Sequence, residues 1–196
     1  MEIKILNLLI KNFKGIKQLA IHFGQTTDIY GENATGKTTI FDAFTWLLFD
    51  KDSFNKKDFN IKTLGPDGEA HHGLEHAVEG QLEVDGRTLN LRKVYTEKWV
   101  KQRGAAEKIF SGHETNYWIN EVPVKAKDYQ QKINSLIDEN IFKLITNPLF
   151  FNQNLSWQDR RKTLLEIVGD ISDQDVIDSN RELSRLSTLL LDKTLE

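Results

Sequence analysis

The octapeptide at residues 31–38 constrains the fold of this 196-residue chain more than any other feature. It reads Gly-Glu-Asn-Ala-Thr-Gly-Lys-Thr and matches the pattern G-x-x-x-x-G-K-[ST]. A short segment at 28–30 precedes it, and Ile40, Phe44 and Leu47 follow it at helical spacing. Because a loop of this kind lies between a strand and a helix, the sequence predicts a strand at 28–30, a phosphate-binding loop and a helix, in that order.

The predicted loop is suited to hold a polyphosphate mainly through its main chain. Glycines let the backbone approach the phosphates, several N–H groups converge on them, and the helix N-terminus adds a partial positive charge. The pattern further predicts that Lys37 reaches the β- and γ-phosphates, that the Thr38 hydroxyl ligates Mg²⁺ and that Thr39 contacts the α-phosphate. We therefore expect ATP and Mg²⁺ as ligands, with nucleotide contacts from Gly31, Asn33, Ala34, Thr35, Gly36, Lys37, Thr38 and Thr39.

Composition excludes several other classes of protein. A hydrophobic fraction of 39% is enough for a core, and a net charge of −3 does not by itself indicate a nucleic-acid binder. The chain has no cysteine, so it can form neither a disulfide nor a thiolate zinc site. Met1 leads into an alternating segment without a signal-peptide pattern, and no run approaches the roughly 20 apolar residues of a membrane span. These features predict a cytoplasmic protein.

Alternating apolar residues predict several antiparallel hairpins. Strand patterns flank turn sequences at 14–15, 85–86 and 120–121, whereas residues 50–76 form a polar excursion. Helical spacing predicts helices at about 127–137 and 157–168, the second of them ended by Gly169. The sequence therefore predicts an α/β fold in which a mixed sheet with antiparallel hairpins accompanies the phosphate loop.

The second half of a hydrolytic site is not found in the sequence. An ATPase needs an acidic residue on a buried strand, but the residues before Asp138 are too polar for such a strand and fit a helix face. The segment 110–113 (Phe-Ser-Gly-His) matches the S-G-G signature of ABC-type ATPases only in part. A literal N-K-x-D motif at 55–58 would suggest a GTPase, yet it follows the predicted helix too closely and lacks a preceding strand.

Three segments together resemble a known family. Residues 10–15 (Ile-Lys-Asn-Phe-Lys-Gly), the loop at 30–33 and the helix start at 39–43 resemble the N-terminal lobe of SMC-like double-strand-break-repair ATPases of the SbcC type. Nearly the whole chain takes part in the resemblance, and the run at 155–161 resembles a bacterial or phage branch. The resemblance implies a P-loop lobe of ABC/SMC-head type, followed by a long coiled coil and by a C-terminal lobe that carries the acidic strand and the signature.

The resemblance also implies roles for individual residues. Gln153, after an apolar triplet at 149–151, looks like the glutamine loop and would complete the Mg²⁺ shell and sense the γ-phosphate; the alternative is an exposed loop glutamine. Lys14 matches a basic residue that reaches the nucleotide; the alternative is a solvated turn. Ala34 stands where the family usually has glycine, which is tolerable if its backbone stays helical or extended.

The C-terminal residues have a helical pattern with two interpretations. Leu183, Leu186 and Leu190 follow a three-then-four spacing on a polar segment. They predict either a terminal amphipathic helix packed on its own domain or the start of a coiled coil. With the resemblance, we favour an N-terminal P-loop lobe at 1–170 and the start of a coiled-coil helix at 171–196.

The implied function is that of an ATP-dependent DNA-repair head. Two heads would form an ATP-dependent dimer, each site being completed by a C-terminal lobe with its signature motif, and hydrolysis would control access of an SbcD-type nuclease to DNA. The alternatives are an SMC-type chromosome organiser and the ATPase of an overcoming-lysogenisation-defect nuclease. A small-molecule kinase, a further alternative, would need an arginine lid, for which residues 160–161 are the only obvious pair.

Two further clusters of residues have a functional and a plainer interpretation. Between Arg92 and Lys108 there are six basic and two acidic residues interleaved with aromatic ones. This segment, which includes Lys101 and Arg103, either contacts DNA or is a solvated face. Three histidines (His71, His72, His76) lie in a glycine-bearing loop without carboxylate or cysteine partners at ligand spacing, so we favour a solvated loop over a metal site.

Overall fold

The computed structural model describes residues 1–65, 67–101, 107–147, 149–169 and 173–183. Contacts divide the chain into two compact units, Met1–Asp138 and Glu139–Glu196. No helix in these described ranges combines the length and the apolar character that crossing a bilayer requires.

The first unit is built on one sheet of six strands. Every ladder between neighbouring strands of this sheet is antiparallel. The strands are β1 (Ile3–Phe13), β2 (Ile16–His22), β3 (His76–Val84), β4 (Arg87–Lys101), β5 (Lys108–Ile119) and β6 (Val122–Val124). Their order in the sheet is β2-β1-β3-β4-β5-β6. The predicted α/β class with antiparallel hairpins is confirmed.

The three predicted turns close the hairpins in left-handed backbone conformations. Asp85 and Gly86 have φ of 47° and 77°, and Asn120 and Glu121 have φ of 48° and 68°. Such pairs of positive φ match the twist of the flanking strands. The turn between β1 and β2 is of the same kind, with Lys14 at φ 46°. The turn residues therefore set the pairing of β1 with β2, β3 with β4 and β5 with β6.

One long helix covers a face of the sheet. Helix α1 (Lys37–Phe49) buries most of its second half, together with core strand residues such as Leu8, Ile10 and Val78. At Gly80 in β3, a Cβ atom would lie 2.6 Å from Leu47 Cδ2. A side chain at this position would therefore force the buried Leu47 side chain to move, so glycine allows α1 to pack closely on β3.

Two predicted helices are confirmed at their predicted places. Helix α2 (Ala126–Leu136) buries Tyr129, Ile133 and Leu136, so the residues before Asp138 belong to a helix face as expected. Helix α5 (Trp157–Val168) begins after Ser156, whose side chain accepts a hydrogen bond from the Asp159 N–H, and it ends at Gly169 with φ 87°. The remaining helices are α3 (Glu139–Thr146), α4 (Phe150–Gln153) and α6 (Asp173–Ser179).

The polar excursion after α1 is tied to β4 by one carboxylate. Within its described residues the excursion contains no helix and a single isolated bridge between Leu64 and Ala70. Glu97 of β4 accepts hydrogen bonds from Lys62 Nζ (2.6 Å) and the Gly73 N–H (3.2 Å). The bond from Lys62 is the main cause that lowers the pKa of Glu97 to about 2. The excursion is therefore held on the sheet, close to the turn that carries Lys14.

The predicted strand at 28–30 is wrong. These residues have no strand conformation, and Ile29 and Tyr30 are 41% and 87% exposed. A strand is stabilised by hydrogen bonds to a neighbouring strand. Among the described residues, no strand pairs with this segment. It therefore stays irregular although its residues suit a strand.

The predicted coiled coil lies mostly outside the described residues. Helix α6 is followed by a 3₁₀ turn, Arg181–Leu183, which contains the first of the three leucines. Leu186 and Leu190 lie beyond the described ranges. The division into a lobe at 1–170 and a coiled-coil start at 171–196 stays a prediction.

Candidate phosphate-binding site

The loop at 31–38 ends at the N-terminus of α1. Gly36 is the N-cap residue with φ 98°, and no side chain of the described residues caps the helix there. The first N–H groups of an α-helix have no partner within the helix, so they can donate to an anion. The geometry at the start of α1 is therefore that of an anion-binding site.

The loop forms one wall of an open hollow of about 430 Å³. The other wall is the turn between β1 and β2, which lies more than fifteen residues earlier in the sequence. The hollow brings together most of the nucleotide contacts that the sequence predicts; its lining residues are Lys14, Gly15, Ile16, Asn33, Ala34, Thr35, Gly36, Lys37, Thr38 and Thr39. The residues fit a phosphate group, because they combine a helix N-terminus, two ammonium groups and hydroxyl donors.

The invariant lysine of the motif closes the loop on itself in this structure. Lys37 Nζ donates hydrogen bonds to the carbonyl oxygens of Gly31 (2.5 Å) and Glu32 (2.6 Å), and Thr35 Oγ1 donates to Glu32 O (2.8 Å). A Cβ atom at Gly31 would lie 2.7 Å from Thr35 Oγ1, so a side chain at this position would displace the Thr35 hydroxyl from its present place. Gly31 is therefore not part of the lining of the hollow. Its carbonyl oxygen contacts Lys37, which is.

The condition under which alanine is tolerable at position 34 is not met. Its φ is 66°, in the left-handed region, not in the helical or extended region expected for a tolerated alanine. The loop reverses its direction here before it enters α1, and alternating right- and left-handed residues turn N–H groups toward one side. An alanine in this conformation costs about 1 kcal/mol relative to glycine. The residue is strained, and glycine would be favoured at this position.

Lys14 lies at the wall of the hollow but already has a partner. Its Nζ is 2.5 Å from Asp42 Oδ2, with side-chain exposures of 29% for Lys14 and 3% for Asp42. Sequence reasoning identified Lys14 and missed Asp42. A signal was present, because Asp42 precedes the apolar residues Trp46 and Phe49 by four and seven positions and so shares a helix face with them, and buried carboxylates need a cation or donors.

The opposite end of α1 is held by a buried lysine that sequence reasoning also missed. Lys93 of β4 has no exposed side-chain surface, and its Nζ donates to Trp46 O (2.7 Å) and Asp50 Oδ1 (2.8 Å). Three aromatic rings, those of Trp46, Tyr117 and Tyr129, lie with their centroids 5.2 Å from the same Nζ. Burial lowers the pKa of Lys93 to about 8, partly offset by Asp50.

Tyr129 completes this anchoring at the end of α1. Its hydroxyl donates to Leu47 O at 3.0 Å, and burial raises the pKa of the hydroxyl. The last carbonyl groups of a helix have no partner within the helix, so side-chain donors stabilise its C-terminus. Lys93 and Tyr129 therefore fix the helix whose other end forms the phosphate hollow.

Other predicted site residues lie elsewhere. Gln153 is the last residue of α4, is exposed and belongs to the second unit, so its role stays a prediction. His72 contacts Glu97, and His76 contacts the carbonyl oxygen of Asn12. In the part of the chain that the structure describes, no group of three or more His, Cys, Asp or Glu residues is placed to hold a metal ion.

The fold and the site define the class of protein. A P-loop opens a helix that packs on an antiparallel sheet, as in the P-loop NTPase lobe of an SMC head. The Smc head domain with a coiled coil and joint from Pyrococcus yayanosii aligns with 97% of this chain and 38% of that chain, with a TM-score of 0.50 and 15% identity. At that identity the likeness shows the fold alone.

A family model identifies the chain more closely. The model described as an AAA domain (AAA_23) matches residues 7–195. The chain belongs to this AAA domain family. The range that it matches includes the G-x-x-x-x-G-K-[ST] loop described above, at the start of α1.

Curated relatives carry three different names. The chain is 28% identical over 134 residues to the chromosome partition protein Smc of Halobacteriovorax marinus, covering 65% of this chain and 11% of Smc. It is 26% identical over 182 residues to the DNA replication and repair protein RecF of Clostridioides difficile, covering 89% and 48%. It is 26% identical over 197 residues to the endonuclease GajA of Bacillus cereus, covering 92% and 33%. The chain thus spans from about a tenth to about half the length of these curated relatives.

Proposed function

We propose that this chain is the ATP-binding N-terminal lobe of a coiled-coil DNA-repair ATPase of the SbcC type. The observation that carries the proposal is the hollow between the P-loop and the turn of Lys14, at the N-terminus of α1. Membership of the AAA domain family and the relatives named for chromosome partition and DNA repair support an ATPase that acts on DNA.

Each residue of the hollow has a role in this proposal. Lys37 exchanges its loop carbonyl partners for the β- and γ-phosphates, and the N–H groups at the start of α1 bind the phosphate oxygens. The hydroxyl of Thr38 holds Mg²⁺, and Thr39 contacts the α-phosphate. The resemblance alone implies that Gln153 would complete the metal shell. When bound, Mg²⁺ neutralises phosphate charge, and the protein residues orient the nucleotide.

The proposed site is completed by a C-terminal lobe. The segment 28–30 has the residue composition of a strand, carries the exposed apolar residues Ile29 and Tyr30, and has no strand neighbour among the described residues. A strand from a second lobe would satisfy this segment by pairing with it. The same lobe would supply the acidic residue, since the described lining of the hollow contains no carboxylate and Asp138 follows α2 and not a strand.

Hydrolysis provides the first test of the composite site. The isolated chain is expected to bind ATP with Mg²⁺ and to release phosphate slowly, because the acidic strand and the signature are missing from its site. Addition of the C-terminal lobe is expected to raise phosphate release at least about tenfold, the effect of one added transition-state contact. Phosphate release is measured with and without the lobe, and a Lys37→Ala chain serves as the inactive control.

Two results would contradict the composite site. Rapid hydrolysis by the chain alone would show a self-sufficient enzyme. Transfer of the phosphoryl group to a small molecule, with no inorganic phosphate released, would show a kinase.

DNA contact is proposed for the extended hairpin of β4 and β5. Beyond Tyr95, β4 is paired only with β5 among the described strands, and the pairing continues to Lys101. Lys98 and Lys101 are exposed there, next to the half-exposed ring of Trp99. Basic side chains on a protruding two-stranded ribbon can neutralise DNA phosphates. Arg103, the other predicted contact, lies outside the described residues.

Charge reversal tests the DNA contact. A Lys98→Glu, Lys101→Glu chain is expected to bind duplex DNA more weakly and to lower the salt slope of binding by about 2, since each lost phosphate contact removes about 0.9. Nucleotide affinity is expected to stay unchanged. Lys127→Glu, Lys132→Glu on the exposed surface of α2 is the matched control, with the same change in net charge. Equal weakening by both pairs would show that only net charge matters.

A further inference from the structure

Asp42 is a buried carboxylate with both oxygens occupied. It lies on α1, five residues after Lys37, and its side chain is almost fully buried. One oxygen, Oδ2, contacts Lys14 Nζ at 2.5 Å. The other, Oδ1, accepts hydrogen bonds from the N–H (2.9 Å) and the hydroxyl (2.5 Å) of Ser53. Asp42 therefore joins the helix of the P-loop to both the turn of Lys14 and the excursion after α1.

The turn of Lys14 is tied to the same excursion independently of Asp42. The Lys14 N–H donates to Ile61 O at 3.0 Å, and the Gly15 N–H donates to Thr63 Oγ1 at 3.3 Å. The ring of Phe59 lies with its centroid 5.4 Å from Lys14 Nζ. The backbone of the turn, the ammonium group and the carboxylate are therefore all held against residues 53–63.

We infer that Asp42 is a positioning residue that holds the Lys14 ammonium group at the wall of the hollow for contact with the nucleotide phosphates. The inference rests on the proposed function and concerns how the hollow is prepared for its ligand. A solvated lysine samples many rotamers, and ordering them on binding weakens affinity. An ion pair with a buried carboxylate removes this freedom in advance. The ammonium group has three donors, so it can keep Asp42 and still donate to a phosphate.

The arrangement is more than the packing of a buried acid. Two donors from Ser53 already satisfy one oxygen of Asp42, and both come from the excursion. The other oxygen, Oδ2, contacts Lys14, which among the partners of Asp42 is the one that lines the hollow. Asp42 itself is absent from that lining, so it acts on a ligand through Lys14.

A double-mutant cycle tests this inference. The four 196-residue chains are the wild type, Asp42→Asn, Lys14→Met and the double variant, and the probe is ADP or ATP with Mg²⁺ measured by calorimetry. Asparagine is isosteric with Asp42 and retains an acceptor for Ser53. Asp42→Asn alone is expected to weaken binding about fivefold, and to cause no further loss when Lys14 is already methionine, because residues that act through one contact are not additive. A second cycle combines Lys14→Met with Ser53→Ala, and smaller changes in nucleotide affinity are expected from it.

The outcomes separate this inference from the proposed function. Equal losses from Asp42→Asn with and without Lys14 would overturn it, since a purely structural residue acts in both backgrounds. Tighter binding by Asp42→Asn would overturn it too, by showing that Asp42 withholds the lysine. If thermal melting shows that Asp42→Asn does not fold, the cycle of Lys14→Met and Ser53→Ala decides. The inference then predicts that the effects of these two substitutions on nucleotide affinity are coupled. Additive effects would contradict it. No binding of nucleotide by the wild type would instead refute the proposed function.

Discussion

Replacement of Lys37 by alanine is expected to weaken the affinity for ATP with Mg²⁺ by about 10- to 100-fold, the value of one or two hydrogen bonds to a charged group. Lys37 Nζ lies in the hollow and donates to Gly31 O and Glu32 O, whose places the phosphate oxygens are proposed to take. Without the ammonium group, the main-chain N–H groups remain, but the strongest single attraction for the phosphates is lost. Titration calorimetry of the two chains measures the difference.

The matched control for Lys37→Ala is Lys17→Ala. Lys17 is exposed on β2, so the net charge changes equally while the loop stays intact. The control is expected to bind nucleotide as the wild type does, and both variants are expected to melt close to the wild type. Normal binding by a folded Lys37→Ala chain would refute the assignment of the loop.

Replacement of Lys93 by alanine is expected to lower the free energy of unfolding by about 3 kcal/mol, as for other broken buried ion pairs and large-to-small core substitutions. The side chain is fully buried between the rings of Trp46, Tyr117 and Tyr129, and its truncation leaves a cavity beside the end of α1. Lys93→Met is the matched variant, because it fills the same volume without the charge. It is expected to retain most of the stability. Denaturant unfolding of the three chains gives these differences.

Lys93 is also expected to give the stability a specific dependence on pH. Burial lowers its pKa to about 8 in the folded chain from 10.5. Between these pH values the unfolded chain binds more protons than the folded one, so the contribution of Lys93 to stability rises as the pH increases from about 8 to 10.5 and is lost as the pH falls through 8. The difference between wild type and Lys93→Met, followed by unfolding across this range, isolates the contribution. A difference that does not change with pH would show that Lys93 titrates normally.

Lys93 lies at the end of α1 opposite the phosphate hollow. Lys93 and Tyr129 hold the last carbonyl groups of α1, whereas the first N–H groups of the same helix face the hollow. The phosphate-binding end is therefore supported by contacts that lie one helix length away. The binding contacts themselves are unaltered in Lys93→Met, which makes it the better variant for separating stability from affinity.

Local signals were sufficient for much of the architecture. Asp85-Gly86 and Asn120-Glu121 predicted hairpin turns, and each pair has the positive φ values that such turns require. The C-terminal limit of α5 followed from Gly169, at which the helix ends in the structure. These elements depend on residues close in sequence, so the chain needs no tertiary information to specify them.

Local sequence signals could not predict which distant segments pair with one another. Residues 28–30 have the composition of a strand, but a strand exists only where a neighbour supplies hydrogen bonds, and the described residues contain none. The backbone conformation of Ala34 was likewise not predictable from the residue itself. Its neighbours in the loop and the entry into α1 impose a left-handed backbone that the identity of an alanine does not predict.

The sequence by itself determined the kind of site, because the P-loop motif specifies a main-chain anion nest at the start of a helix with Lys37 beside it. It also determined the hairpin turns and the approximate limits of α2 and α5. Only the tertiary structure decided which buried charges meet, namely Lys14 with Asp42 and Lys93 with Asp50. The partners in these pairs are 28 and 43 residues apart, and a buried charge is stable only where folding delivers an opposite one. The requirement for a partner is local, whereas the choice of partner is a property of the whole fold.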